Sequence, residues 1–568
     1  MGGVGNGAVC EGRPSLRDFA AVILTEAALS FRGPRARDRV RAAMATPVET
    51  LESYVLARWQ AGTGDPTPLH DPTTEEKIAE VRSGGIDFAA VLEAAREKGG
   101  PALRALSFRE RGALLKGLSG AIHERREDLI AASVRNGGTT RGDAKFDVDG
   151  AIGTLAAYAA LAEKLPDRPF LVDGEGMQLG RTGRFWGQHV WVTRPGVAVH
   201  VNAFNFPAWG MTEKMACALL AGVPVVEKPG TPTALVAARV ARIVVDSGLL
   251  PPNAYQLVVG GVGDLLDHLR SEDCLAFTGS SATGAKLRGH ANVVRRNVRV
   301  NVEADSLNAA VLAPDVEPGS DAWNLFLANV ALDMTQKTGQ KCTAVRRILV
   351  PEEKVEAVRA DLTAELLRVK VGDPSEKETR MGPLSSKGQL EDVRAGIGRL
   401  AREAHVACGG PDPIRPKGWF VAPTLLVARE AGAAAFHAEE VFGPVATILP
   451  YSGDAALAAE LVRLGGGGLV ASAYSNDPDW TERFVLAAAP WNGRLWIGSD
   501  KLQDQATPPG LVLPNMIHGG PGRAGGGEEL GGERGLHFYM QRTALQGFKG
   551  TIDGSFGGGN LGSARAGS

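Results

Sequence analysis

Cys342 lies in the stretch KTGQKCTAVRRILV, after a glycine-containing turn and ahead of an apolar run of strand character. A lone cysteine is usually a small buried hydrophobe. Placed at the mouth of a loop, however, its thiolate can attack a carbonyl carbon and form a covalent intermediate. Two more residues make that chemistry worth considering. Glu303 closes the apolar run NVRVNVE just before a loop, and Asn205 follows the apolar run GVAVHV in HVNAFNFPAW. A carboxylate can take a proton from water, and an amide can donate to an oxyanion as it develops. Thiol, carboxylate and amide at strand ends are the parts needed to oxidise a carbonyl compound through a thioester, although no single spacing shows that they meet.

The surrounding pattern suits that task. GVAVHVNAF and VPVVEKPG read as buried strands that end in loops, and TALVAARVARIVVDSG reads as a helix closed by glycine. AYQLVVGG is the next expected strand, VGDLLDHLRS the next helix and CLAFTGS another strand. Residues 108–129, FRERGALLKGLSGAIHERREDL, carry apolar side chains at helical spacing. Alternating strands and helices predict an α/β fold with a parallel sheet covered on both faces. Such sheets bind ligands beyond the carboxyl ends of their strands, where Asn205 and Glu303 fall. A second α/β region begins after Glu303. The segment GRTGRFWGQHVWVTRPG, residues 180–196, alternates enough for an exposed hairpin, and GLHFYMQRTALQG reads as a further strand. Strand edges carrying Phe and Trp need covering.

Composition narrows the alternatives. At 568 residues the chain exceeds the roughly 250–300 that one core sustains, so several domains are expected. The formal net charge of −2 leaves no global positive field for nucleic acid or an anionic membrane. Five scattered cysteines without a CxxC pair argue against a disulfide framework and a structural zinc site. No apolar run nears the roughly 20 residues of a membrane span, and the early apolar stretch contains Glu26 and lacks a cleavage site. A reducing cytoplasm is the expected compartment. Residues 1–43 turn from Gly-rich to Arg-rich and suggest either a disordered tail or a true start at Met44; residues 550–568 read as a Gly/Ser-rich flexible tail.

Several short motifs stand in a telling order. FNFPAW resembles the PWNFP motif of the aldehyde dehydrogenase superfamily, EKPGT its KPAE segment, and FTGSSATG its FTGSTxxG segment. GQKC resembles its nucleophile motif GQxC, and EEVFGPV matches EE(I/V)FGPV. The ordered set spans residues 205–445 within a resemblance over residues 51–545, and Glu303 and Cys342 are 39 residues apart, as that fold allows.

The resemblance implies a Rossmann-like cofactor domain over residues 51–179 and 197–302, a catalytic domain over 303–532, and a small β oligomerisation flap from 180–196 and 533–548. Residues 1–50 would be an N-terminal extension and 549–568 a flexible tail. Cys342 becomes the nucleophile, Glu303 the base for hydrolysis, and Asn205 with the Cys342 backbone N–H the oxyanion donors. For the cofactor, Lys228 would bond the adenosine ribose and Ser280 would face the pyrophosphate from a helix start. Glu440 and Phe442 would hold the nicotinamide ribose and ring, with Val201, Phe204 and Gly263 completing the site. NAD-preferring relatives carry a glutamate three residues after the lysine. Thr231 stands there and removes a repulsion toward a 2′-phosphate, so NADP is the expected cofactor, with NAD also possible. Thr231 could equally cap the next helix. No metal is expected.

Two departures from the family pattern narrow the branch. EADSLNA replaces ELGGKNP after the glutamate, and HGGPGRAGGGEELGG replaces PFGGxKxSGxGRE. Both are similar to the branch acting on CoA-thioester semialdehydes after aromatic ring cleavage. The implied substrate is 3,4-dehydroadipyl-CoA semialdehyde of benzoate degradation. The alternative is 3-oxo-5,6-dehydrosuberyl-CoA semialdehyde of phenylacetate degradation, whose enzyme usually carries a further hydratase domain for which this chain leaves no room. A CoA-acylating enzyme is a rival that Glu303 disfavours, and a non-catalytic scaffold is disfavoured by the retained Cys342, Glu303 and Asn205. The expected assembly is a homodimer. The replaced C-terminal motif leaves His518 and Arg523 without an assigned role.

Overall fold

The structure, a computed structural model, describes residues 48–502 and 505–557. The expectations for residues 1–47 and 558–568 lie outside the described residues. From Val48 onward the chain is organised around two seven-stranded sheets.

The first sheet runs Arg299–Glu303, Cys274–Thr278, Ala198–Val201, Val225–Lys228, Tyr255–Leu257, Glu52–Val55 and Arg58–Ala61 in spatial order. Its first five strands are parallel and the last two antiparallel. The parallel strands are short and apolar because helices cover both faces. One cover is Trp209–Ala221, MTEKMACALLA after its first turn, buried along almost its whole length and ended by Gly222 in the left-handed region. The helical spacing over residues 108–129 is carried by two helices. Phe108–Glu124 opens with a capping box, in which the Ser107 hydroxyl accepts from the Glu110 N–H and the Glu110 carboxylate accepts from the Ser107 N–H. The chain breaks at Arg125 and restarts as Arg126–Gly137. VGDLLDHLRS, expected as a helix, forms only a 3₁₀ turn at Leu265–His268, too short to present a second apolar turn to the sheet.

The second sheet runs Ala404–Cys408, Thr424–Ala428, Val445–Tyr451, Arg347–Pro351, Ala309–Leu312, Gly468–Tyr474 and Asn492–Gly498, parallel except at its first pair. The Gly-rich stretch after residue 516 forms the antiparallel pair Ile517–Gly519 and Glu528–Leu530, the first strand beside Asn492–Gly498 of the second sheet and the second beside Arg299–Glu303 of the first. Its glycines have a steric cause: a Cβ on Gly527 would stand 2.5 Å from the Val302 carbonyl and from the Asn301 side chain.

The expected hairpin at residues 180–196 is a single strand, Phe185–Thr193. It is the middle of a three-stranded sheet between Phe170–Gln178 and Met540–Phe548. Alternation marks a strand but not its partner, and one partner comes from the segment assigned above to the cofactor domain. The tail expected from residue 549 is also corrected in part. Lys549–Phe556 is a helix, because Ile552 is buried against this sheet, Phe556 packs on Phe170 at 5.5 Å and Lys549 lies over Trp186 at 4.1 Å.

Candidate active site

Cys342 is half-buried in a turn held from every side. Lys337 and Thr338 adopt left-handed backbone. Gly339 must be glycine, since its φ is +67° and a Cβ would meet the Gly443 carbonyl oxygen at 2.2 Å. The Gln340 amide oxygen accepts from the Ser385 N–H at 3.0 Å. Lys341, fully buried, pairs with Asp333 at 2.7 Å. Arg346 donates to the carbonyls of Gly339, Lys341 and Gly443. The replaced motif EADSLNA takes part as well. Asn308 donates to the Cys342 and Ala344 carbonyls at 2.7 and 2.9 Å, and Ser306 donates to Asn308 at 2.6 Å.

Glu303 ends its edge strand, as expected, and is 1% exposed. Its carboxylate stands 3.2 Å from Nε2 of His518, and the same nitrogen is 3.8 Å from the Cys342 Sγ. Burial opposes the Glu303 charge, but the His518 imidazole, with Lys214 behind it, outweighs burial and holds the carboxyl down at about 2. The Cys342 thiol is pushed well above its ordinary value, first by burial and then by the Glu303 charge.

Behind Glu303 lies a buried group of charges that the sequence reading did not single out. Lys214 pairs with Glu529 at 3.1 Å and Glu213 at 3.4 Å, and the carboxylates of Glu213, Glu303 and Glu529 fall within 4.8 Å of one another. Burial and the neighbouring carboxylates push Glu213 up to about 7, even against the Lys214 charge. Glu213 and Lys214 side by side in an otherwise apolar helix were the available signal, since buried charges are kept only when paired.

A cleft of about 820 Å³ opens at Cys342. Of the expected residues, Phe204, Asn205, Ser280, Glu440 and Phe442 line it with Cys342. Asn205 lies four residues past its strand rather than at the strand end, and its side-chain amide has no hydrogen bond among the described residues, so it is free to donate into the cleft. Phe204 and Phe442 meet edge to face at 5.9 Å. Ser280 caps the helix Ser281–Arg288, accepting from the Thr283 N–H at 3.3 Å. Glu440 accepts from the Ser306 N–H at 3.2 Å and stands 3.6 Å from Arg346, and burial pushes its carboxyl up to about 7.

The remaining expected residues sit apart from this lining. Lys228 and Val201 are strand-end neighbours, paired in register. The Lys228 ammonium has no partner among the described residues, and burial lowers its pKa. Thr231 opens a 3₁₀ turn between Gly230 and Pro232, both of which line the cleft; the following helix begins at Ala234, so Thr231 does not cap it. Gly263, at φ +46°, is in a turn beside the Phe88 ring.

The aldehyde dehydrogenase family model matches residues 59–545. The chain belongs to the aldehyde dehydrogenase family. It is an oxidoreductase that converts aldehydes to acids with a nicotinamide cofactor, NAD or NADP. It is 44% identical to 3,4-dehydroadipyl-CoA semialdehyde dehydrogenase of Aromatoleum evansii over 83% of this chain and 93% of that protein. It is 26% identical to chloroplastic betaine aldehyde dehydrogenase of Beta vulgaris over 88% of this chain and 96% of the relative. Among solved structures, lactaldehyde dehydrogenase of Escherichia coli superposes with a TM-score of 0.78 at 25% identity, covering 88% of this chain and 99% of that one. The α/β fold and the aldehyde chemistry expected from the motifs are those of this family. No helix among the described residues is long and apolar enough to cross a membrane.

Proposed function

We propose that this aldehyde dehydrogenase oxidises 3,4-dehydroadipyl-CoA semialdehyde to the free acid with NADP, through a thioester on Cys342. The observation that carries the chemistry is that the buried Glu303 carboxylate lies within 4.8 Å of the Cys342 Sγ, and that Cys342 and Asn205 line one cleft. The substrate assignment rests on the 44% identical relative, of which this chain spans 93%.

The cleft fits a nicotinamide dinucleotide in kind. It pairs two aromatic rings with an unsatisfied buried carboxylate oxygen on Glu440 and a helix start at Ser280. Phe204 and Phe442 would face the nicotinamide, Glu440 its ribose, Ser280 the pyrophosphate and Lys228 the adenosine ribose. When bound, the cofactor supplies the two-electron acceptor. The protein's own residues do the rest. The Cys342 Sγ attacks the aldehyde carbon. The Asn205 amide and the Cys342 N–H donate to the oxygen as it gains charge, and the fixed turn holds the Cys342 N–H in place beforehand. Glu303 accepts a proton from the water that hydrolyses the thioester.

Steady-state rates with CoA-linked and free semialdehydes, each with NAD and NADP, test this. The expected outcome is the highest kcat/KM for the CoA-linked substrate with NADP, yielding free acid. A new thioester as product would instead identify a CoA-acylating enzyme.

We also propose a homodimer through the three-stranded sheet. Phe185, Val192 and Phe548 stay exposed on it at 46, 37 and 63%. Light scattering at micromolar protein should report at least twice the chain mass; a monomer would refute it.

A further inference from the structure

The motif that replaces the usual C-terminal signature brings His518 into the reaction centre. Its backbone is tightly fixed. A Cβ on Gly493 would meet the Gly519 carbonyl at 1.7 Å, and one on Gly519 the Gly527 carbonyl at 2.1 Å, so the strand Ile517–Gly519 is wedged between two neighbouring segments with no room to slide. The imidazole is 4% exposed, and a single atom, Nε2, is within reach of both the Cys342 Sγ at 3.8 Å and the Glu303 carboxylate at 3.2 Å.

We infer that His518 is the acid–base partner of Cys342, with Glu303 as the carboxylate that steadies its charged form. This rests on Cys342 being the nucleophile, as proposed above. In the first half-reaction the Sγ–H proton passes to the lone pair of Nε2 as the S–C bond forms, while the carbonyl π pair moves onto oxygen. After the oxidation that the enzyme is built to perform, water attacks the thioester carbon and Glu303 takes one of its protons. The C–S bond then breaks, its electron pair stays on sulfur, and Nε2–H returns the proton to Sγ. The hydroxyl oxygen ends in the acid, and Glu303 releases its proton to solvent.

The electrostatics show why an internal acceptor is needed. Burial and the Glu303 charge together make an isolated Cys342 thiolate costly. Passing the proton to His518 separates no charge from the site, because the imidazolium stays between thiolate and carboxylate. The groups facing His518 set its tuning. Burial and the Arg494 guanidinium disfavour its charged form. Glu303 and Glu213 favour it and win, raising the imidazole above its ordinary value. Lys214 and Glu529 lie one step further on, in the pairing with Glu213.

Alkylation of Cys342 by iodoacetamide, followed against pH on the full chain and assigned by mass spectrometry, tests the inference without turnover. Loss of one proton from the Cys–His–Glu unit gives a reactive form whichever atom loses it, so the apparent pKa belongs to the unit. Wild type should show a reactivity limb in the neutral range. His518→Gln, close in size and unable to titrate, should lose that limb and react at least about tenfold more slowly at pH 7. Added imidazole should restore the limb to His518→Gly, a rescue that a merely structural histidine would not permit; cofactor binding checks that both variants fold. Superposable wild-type and His518→Gln profiles would overturn the inference. So would a wild type reactive only above the ordinary thiol pKa of about 8.5, even if neither variant folded. If Cys342→Ala itself kept full turnover, the failure would lie in the nucleophile assignment instead.

Discussion

The reaction centre in the cleft and the Lys228–Thr231 segment beside it are built on opposite plans. Around Cys342 the backbone turn is committed to protein partners: Asn308 holds its carbonyl, Arg346 ties down three others, and Lys341, Asp333 and Gln340 lock the turn. Around Lys228 and Thr231 the side chains lack partners among the described residues. The contrast follows from what each region handles. Bond-making atoms must be placed within fractions of an ångström before the substrate arrives. A nucleotide brings its own hydrogen-bonding groups and must leave after each turnover, so the protein there can stay open. Substitutions should therefore be catastrophic in one region and graded in the other.

The largest effect belongs to Cys342→Ala. Turnover should fall by at least about 10⁴-fold, because the covalent route disappears and the remaining donors cannot replace it. Cofactor affinity, measured by fluorescence quenching, should be unchanged. Residual turnover within tenfold of wild type would remove Cys342 from the mechanism. Next comes Glu303→Gln, with a steady-state loss of about 10²–10⁴-fold, the usual worth of a general base. Rapid mixing should show an early burst of reduced cofactor as the thioester accumulates. A burst lost together with the steady state would mean that Glu303 acts chiefly by steadying the charged His518 during thiol attack and not as the base of hydrolysis.

Glu440, in the cleft lining, is buried but only partly satisfied: one oxygen accepts from Ser306, while the other has no hydrogen-bond partner among the described residues. Its carboxyl is pushed up to about 7, first by burial and then by Asp305, with Arg346 opposing. A raised carboxyl is protonated below that value and loses acceptor capacity toward a ribose hydroxyl. Cofactor affinity should therefore hold above pH 7 and weaken as pH falls through it, by about tenfold at pH 6 if only the ionised form binds. Glu440→Gln should bind weakly and equally at both pH values. A wild-type affinity flat from pH 6 to 8 would exclude this role.

How much of this the sequence disclosed follows the same division between local and distant determinants. The places of Glu303 and Cys342, where apolar runs meet loops, were legible, while the roles proposed for them came from the ordered motifs. The parallel sheets were legible because buried strands are uniformly apolar. His518 was not, since what makes it reactive is a pairing with Glu303 across a large part of the chain, and a histidine in a glycine-rich stretch has no periodicity to betray a partner. Lys214 and Glu529 escaped for the same reason, although a charge pair inside an apolar helix hinted at one. The three-stranded sheet was half read: residues 185–193 alternate as a strand should, but register with Phe170–Gln178 is a tertiary fact. The expected helix at VGDLLDHLRS failed because its apolar residues support only the single turn Leu265–His268.

The smallest effect is expected at the Lys228–Thr231 segment, where cofactor choice is decided. Thr231 stands three residues beyond Lys228, in a turn flanked by the cleft-lining Gly230 and Pro232. It brings no charge, while Lys228 brings a positive one that burial makes more expensive to leave unpaired. A 2′-phosphate would satisfy that lysine, and nothing at position 231 would repel it. NADP should therefore be used at least as well as NAD. Thr231→Glu reverses the local balance by offering a ribose 2′-hydroxyl an acceptor and a phosphate a like charge. One such repulsion at a partly solvated site is worth about 1–4 kcal/mol, and each 1.4 kcal/mol is about tenfold in a ratio of constants. The ratio of kcat/KM values should shift toward NAD by about tenfold or more, with kcat itself little changed because the reaction centre is held independently. Gly263 and the loop around it are the competing determinant, since that turn also follows a strand of the same sheet. Measuring both cofactors on wild type and Thr231→Glu separates the two: an unchanged ratio moves cofactor selection to that loop, and a strong NAD preference in wild type removes the premise.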